Sequence, residues 1–268
     1  MKISLSNSDL GKIFKFFTEL TVDQQAWFIR EQIIIINNWY GGTIKTEGFE
    51  GVKNLSLSKI EKNSNALNDF FQVCWCVRKV LPTSPPLQLY RATKVSPGDT
   101  GKKKLVEGQK VKFASSRSTL TSWSDQIDGV HNFLKSIRDS RKRYIILEYE
   151  SPNSSHIFYT HEQMARWLNV ISSGDFTKKL YAYIGKQSTK SDKLVEILAK
   201  APELNIKERR SLFTNLAQIQ ISKMFTQARK CVNSVYFTDE KETLVYIPKG
   251  ERISVKIVEI LANEKKRK

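Results

Sequence analysis

The sequence predicts an α+β protein: a helical N-terminal third, a strand-rich remainder, and a long helical insertion among the strands. Three observations predict it. Apolar residues recur at helical spacing up to a proline cluster at Pro82, Pro85 and Pro86. Beyond that cluster, short alternating or β-branched segments take over. No Gly-rich strand–loop–helix phosphate fingerprint occurs, which disfavours a parallel doubly wound sheet.

Asp9 to Phe17 carries apolar residues at helical spacing. Thr21 and Gln24 form a capping-box pattern ahead of Ala26, Trp27, Ile29, Ile33 and Ile36, and Gly41-Gly42 stops this second helix. Residues 43–62 are polar and read as loop or short strands. A third helix is expected over about 65–80, with Leu67, Phe70, Phe71, Cys74 and Val77 inward. The prolines then mark a boundary, giving an N-terminal helical region, 1–84, and a second region, 85–268.

In the second region Leu87 to Arg91 is a strand, 98–108 is a loop with Lys102-Lys103-Lys104, and Val111 to Phe113 alternates. Leu120 to Ser124 is a strand, Asp125 to Ile137 suits a helix, and Tyr144 to Tyr149 is a strong strand. An insertion of about 152–230 reads as helical. Thr160 and Gln163 cap a helix through Ile171, Asp192 to Ala199 is another, and Asn205 with Glu208 caps a long one to about Cys231. Strands return at Glu242 to Ile247 and Arg252 to Ile260.

Of the 268 residues, 40% are hydrophobic and 10% aromatic, enough to build a core and exclude wholesale disorder. No apolar run approaches the ~18 residues of a membrane span. The first residues show no apolar stretch leading to a small-residue cleavage site, so no membrane partner and a cytoplasmic setting are expected. Cys74, Cys76 and Cys231 are too few for a disulfide framework and are expected reduced and buried. C-x-C without further Cys or His nearby gives no metal site. The unusual bulk feature is charge: 44 Lys+Arg against 27 Asp+Glu, a net +17. Such a field attracts polyanions.

Three segments hold residue types that carry chemistry. Arg91 ends the strand Gln88-Leu89-Tyr90-Arg91, where its planar fork can grip a phosphate or carboxylate. Ser122 and Ser124 share one face of a strand and can orient a polar group. Glu240 and Glu242 stand two apart and share a face, so the carboxylates can divide donor and acceptor roles. Taken singly, each admits an ordinary reading: a salt-bridged arginine, a half-exposed strand, a solvated acidic strand start.

In this order the segments resemble the Arg–Ser–Glu mono-ADP-ribosyltransferases, among them bacterial toxins and the small transferases of T-even-type bacteriophages. The resemblance covers about residues 87–258. An aromatic-Arg pair (Tyr90-Arg91) precedes a Ser-x-Ser strand (Ser122-Trp123-Ser124) and a helix with Val130 and Phe133. Near the end come Glu240-Lys241-Glu242 and Pro248-Lys249-Gly250. Departures are Ala92 where Gly is common, Trp123 where Thr is usual, and a Pro six residues after Glu242 rather than four. The insertion at about 152–230 does not map onto the family's pattern.

The resemblance implies a split β-sandwich core and NAD⁺ as a substrate, with no metal. It implies Glu242 as the catalytic carboxylate and Glu240 as the residue that handles the acceptor. Arg91, Tyr90, Ser122, Trp123 and Ser124 would line the NAD⁺ site, and Tyr236 and Phe237 would lie on an acceptor-recognition loop. Glu-x-Glu favours a protein arginine as acceptor. The charge favours nucleic acid, single-stranded RNA in particular, tracked by Arg141, Lys142, Arg143 and other basic clusters, with Trp123, Tyr236 or Phe237 stacking bases. The resemblance to toxins and phage effectors leaves room for an antitoxin or inhibitor protein. A non-catalytic nucleic-acid binder would explain the charge but not the ordered segments, and an NAD⁺ hydrolase would share the segments but transfer to water.

Overall fold

A computed structural model of the chain describes residues 6–44, 66–95, 105–114, 120–137, 143–187, 206–234, 239–248 and 250–261. Among these are eight α-helices and one antiparallel seven-stranded sheet. The chain divides into two compact units. A helical unit takes Met1–Lys45, Asn54–Pro82 and Glu162–Ser234, and a sheet unit takes Thr46–Lys53, Thr83–His161 and Val235–Lys268. The N-terminal helices and the helical insertion, far apart in sequence, therefore build one body.

The helical unit contains α1 (Asn7–Glu19), α2 (Val22–Arg30), α3 (Gln32–Tyr40), α4 (Ala66–Val80), α6 (His161–Ile171), α7 (Gly174–Gln187) and α8 (Ile206–Val232). The Thr21–Gln24 capping box is formed in both directions. The single helix expected to follow it is two: the backbone at Glu31 turns to φ −110°, ψ −39°, and a new helix starts at Gln32. Gln32 is buried there, accepting from Trp167 Nε1 at 3.0 Å while its amide faces Met224 Sδ, so tertiary contacts accompany the break. Helix α3 ends as expected at the two glycines, Gly42 taking φ +70°. In α4, Leu67, Phe70, Phe71, Cys74 and Val77 are all buried. Helix α7 was not legible in the sequence. The expected helix 192–199 and the Asn205 cap lie outside the described residues. In α8, Ile221, Met224, Ala228 and Cys231 are buried at helical spacing. All three cysteines are buried thiols, and burial pushes Cys231 up to about 12.

Asp9 of α1 and Arg166 of α6 form a two-pronged ion pair, Nε to Oδ2 at 2.8 Å and Nη2 to Oδ1 at 2.6 Å. The hydrogen bonds from Arg166 hold the Asp9 carboxyl below its usual range. Asp9→Ala should cost ~3 kcal/mol at neutral pH, because a largely buried guanidinium loses its partner. A depressed carboxylate contributes stability that is present above its unfolded pKa of about 3.9 and lost as pH falls through the lower folded value. Urea titrations at pH 7 and pH 3 should show the two proteins converging at the lower pH.

The sheet unit contains β1 (Gln88–Lys94), β2 (Lys110–Phe113), β3 (Leu120–Ser124), α5 (Ile127–Ile137), β4 (Tyr144–Glu150), β5 (Ile157–Tyr159), β6 (Glu242–Tyr246) and β7 (Ile253–Leu261). Strand order is β2-β7-β4-β1-β3-β6-β5, and every pairing is antiparallel. Strand β5 is a correction: the segment after Tyr149 was expected to be helical throughout, yet Ile157–Tyr159 joins β6 before α6 begins. At three residues it is too short to show a period. Strand β4 is buried on both faces up to Glu150, as its apolar run predicts. Its Glu148, 5% exposed, is matched by Lys256 Nζ at 3.4 Å.

One register pair, Tyr90↔Ser124, joins β1 to β3, whereas seven join β1 to β4. The sheet thus consists of two well-paired parts, β2-β7-β4-β1 and β3-β6-β5, held by a narrow seam. A single core gathers side chains from both parts: Leu89, Trp123, Leu147, Val245, Val255 and Ile257 among them. Helix α5 lays Val130 and Leu134 on Tyr144 and Ile146 of the opposite face.

Candidate active site

The seam between β1 and β3 is where the singled-out residues meet. Ser122 is the exposed residue of β3, between the buried Leu120 and Ser124 of its own face, and Glu242 is the first residue of β6. Ser124↔Glu242 and Ser122↔Leu244 pair across the two strands, so Ser122 and Glu242 share a face. The Ser122 hydroxyl donates to Glu242 Oε1. The Tyr159 hydroxyl, from β5, donates to Glu242 Oε2 at 2.6 Å. Each carboxylate oxygen is therefore held by its own hydroxyl. Tyr159 was not anticipated, because the strand that carries it was not.

Arg91 leaves β1 on the face opposite Tyr90 and donates through Nη1 to the Ser122 carbonyl. The guanidinium thus ties β1 to β3 beyond their one register pair. Its Nε is buried without a hydrogen-bond partner. Burial lowers its pKa to about 10 and the nearby Glu242 charge opposes that shift, so it remains a cation at neutral pH. A five-donor fork with one structural acceptor and a buried, unspent donor suits an anionic ligand. Arg91→Lys keeps the charge and loses the fork. If the anion is the NAD⁺ that the resemblance implies, binding should weaken at least tenfold by calorimetry, from roughly 1.5 kcal/mol for one charge-assisted hydrogen bond, and unchanged affinity would reduce Arg91 to a structural tie.

Glu240 departs from the expectation. It does not share a strand face with Glu242. Asp239 and Glu240 are helical, Lys241 takes a left-handed φ of +47°, and β6 begins only at Glu242. The period-two argument fails because the intervening residue is not extended. The carboxylates nonetheless stay close. Burial first, then the charges of Glu242 and Asp239, push Glu240 up to about 7.

Three further residues expected to line the donor site, Tyr90, Trp123 and Ser124, make contacts within the sheet unit. Trp123 is 2% exposed, inside the core against Phe113 and Tyr149, with its indole N–H on Thr121 Oγ1 at 2.8 Å. Alternation sends it to the face opposite Ser122, into the core. Ser124 is 3% exposed and accepts from the Gln126 amide at 3.2 Å, at the start of α5. Tyr90 packs on the α5 side, its hydroxyl 3.0 Å from Gln88 Oε1 and 3.2 Å from Glu148 Oε1. Tyr236, Phe237, Arg141, Lys142 and Lys102–Lys104 lie outside the described residues. Arg143 is half-buried just before β4, and Lys110 and Lys112 are exposed on β2. Among the described residues no cluster of three His, Cys, Asp or Glu could hold a metal, and no helix is long and apolar enough to cross a membrane.

Comparison with protein-family models, with curated proteins and with solved structures finds no match to this chain.

Proposed function

We propose that this chain is an NAD⁺-dependent mono-ADP-ribosyltransferase with a split β-sandwich core, and that its acceptor is single-stranded RNA. The observation that carries the reading is the Glu242 carboxylate held on both oxygens by Ser122 and Tyr159, beside the Arg91 fork. The three segments that resemble the Arg–Ser–Glu transferases are those that supply Arg91, Ser122 and Glu242.

The chemistry follows from the residues. Arg91 grips the pyrophosphate and sets the pose of the donor. The bond between ribose C1′ and nicotinamide nitrogen breaks, and nicotinamide leaves with the electron pair. Positive charge develops on the ribose, and the fixed Glu242 carboxylate stabilises it through the 2′-hydroxyl. The two hydroxyls keep Glu242 from swinging away, so little reorganisation is needed as charge builds. The acceptor nitrogen attacks C1′ and gives its proton to Glu240. A nucleobase presents an exocyclic amine beside a ring nitrogen, which a carboxylate can address as it would half a guanidinium. The excess of cations, shared by both units, supports a phosphate-backbone partner.

The test is NAD⁺ labelled in its adenylate phosphate, incubated with whole lysate and then divided between RNase and protease. Label released by RNase and resistant to protease is expected. Label lost to protease and captured by agmatine would make the acceptor a protein arginine, the reading that Glu-x-Glu favours. Free ADP-ribose alone would mean a hydrolase, and unconsumed NAD⁺ would overturn the enzyme reading. Binding to single-stranded RNA should fall with salt at a log–log slope near −3.5, from roughly −0.7 for each of about five phosphates. Replacing Arg141, Lys142 and Arg143 together by Gln should flatten it.

A further inference from the structure

Helix α5 has two working faces. Val130 and Leu134 cover the sheet. Gln126, Gly129 and Asn132, three residues apart and so on one side of the α5 segment, meet the turn 239–241. Lys241 Nζ donates to Gln126 Oε1, and Asn132 Nδ2 donates to the Asp239 carbonyl at 3.3 Å. Between them, a Cβ added at Gly129 would stand 2.4 Å from Ser124 Oγ and 2.6 Å from the Glu240 carbonyl oxygen. Neither neighbour can yield easily: one is a buried hydroxyl committed to the Gln126 amide, the other is backbone. Glycine is a poor helix former, so its place in α5 needs a reason. Close approach of the Glu240 backbone supplies one.

We propose that α5 is the positioning element of the acceptor carboxylate: Gly129 admits the Glu240 backbone, while Asn132 and Gln126 hold the residues on either side of it. The consequence for transfer rests on the transferase reading, whereas the placement of Glu240 does not. Lys241 is held left-handed by the same grip, which turns Glu240 off the line of β6 and toward the carboxylates of Glu242 and Asp239. Those two are the charges that face Glu240. Lys241, the cation of the turn, is drawn to Gln126, and the α5 residues that meet the turn carry no charge.

Two readouts test this in the full chain. The first needs no catalysis. A carboxyl whose folded pKa is raised contributes stability below its unfolded pKa that is lost as pH rises through the folded value. The melting temperature of the wild-type chain should therefore drop relative to Glu240→Gln as pH rises from 5 to 8. Asn132→Ala and Gly129→Ala should erase that relative drop, because Glu240 relaxes into water. The second readout is the ratio of transfer to NAD⁺ hydrolysis. Asn132→Ala should lower transfer about three- to tenfold, the range of one lost hydrogen bond, with hydrolysis within about twofold. Gly129→Ala should lower transfer further. A relative drop that persists in both variants would overturn the placement, and parallel loss of transfer and hydrolysis would overturn the division of labour. If Gly129→Ala does not fold, Asn132→Ala decides alone. A wild-type chain that consumes no NAD⁺ defeats the transferase reading instead, and the melting comparison still decides where α5 holds Glu240.

Discussion

Glu242→Gln should lower NAD⁺ turnover by about 10²–10⁴-fold while leaving NAD⁺ affinity near that of the wild-type chain. The amide keeps the size of the side chain and one oxygen acceptor. It loses the charge, and that charge matters only as the ribose becomes cationic. An interaction made more strongly in the transition state than in the ground state shows in kcat and not in binding. The setting strengthens the expectation. Both oxygens of Glu242 receive hydroxyls, from Ser122 and Tyr159, so the carboxylate is held in one pose. Gln cannot accept from both, since one of its two terminal groups is itself a donor, and it must break one contact. Turnover above a tenth of wild type would remove Glu242 from the chemistry, and a parallel loss of affinity would make it a binding residue instead. Single-turnover quenching with separate equilibrium binding distinguishes the two.

Much of this site was legible in the sequence, and the reasons are local. Strand alternation put Ser122 and Ser124 on one face of β3, and Arg91 lay within a segment readable as a strand. The helices with clean periodicity or a cap, at Thr21–Gln24 and Leu67–Val77, formed where their apolar faces required. What was not legible depended on long-range pairing or on an unusual backbone. Tyr159 stands in a three-residue strand that exists because β6 pairs with it. Trp123 sits on the core side because its neighbours Ser122 and Ser124 take the other face. Glu240 and Glu242 looked like a strand pair, but the left-handed Lys241 breaks the period, and no residue type there announces it. That φ is uncommon for a lysine and falls between the two candidate carboxylates, the kind of place where strain collects at functional sites. The union of the N-terminal helices with the insertion came from contacts such as Asp9–Arg166 and Gln32–Trp167, which link residues more than a hundred positions apart. No local pattern announces such a pairing.

Glu240→Gln should abolish transfer, by at least 10²-fold, while slow NAD⁺ hydrolysis continues. In the proposed reaction Glu240 has no part in stabilising the ribose; it takes the proton of the attacking nitrogen, which an amide cannot do. Its environment tunes it for that task. Burial and the neighbouring Glu242 and Asp239 raise its pKa to about 7, so near neutrality it exchanges between acid and base. The transfer rate should rise with pH through an acidic limb near 7, as the base form populates. Hydrolysis, which does not use Glu240, should show no such limb. The same displacement carries a thermodynamic cost with a definite sign. Because the folded pKa lies above the unfolded value of about 4.3, the ionised form is disfavoured in the fold, and stability declines as pH rises through 7. Glu240→Gln removes that burden and should melt at a higher temperature than the wild-type chain at pH 8, the two converging near pH 5. A residue whose loss stabilises the fold while ending transfer is there for chemistry rather than for structure. If hydrolysis and transfer fall together in the variant, or if its melting temperature at pH 8 is not higher, Glu240 is not the acceptor base.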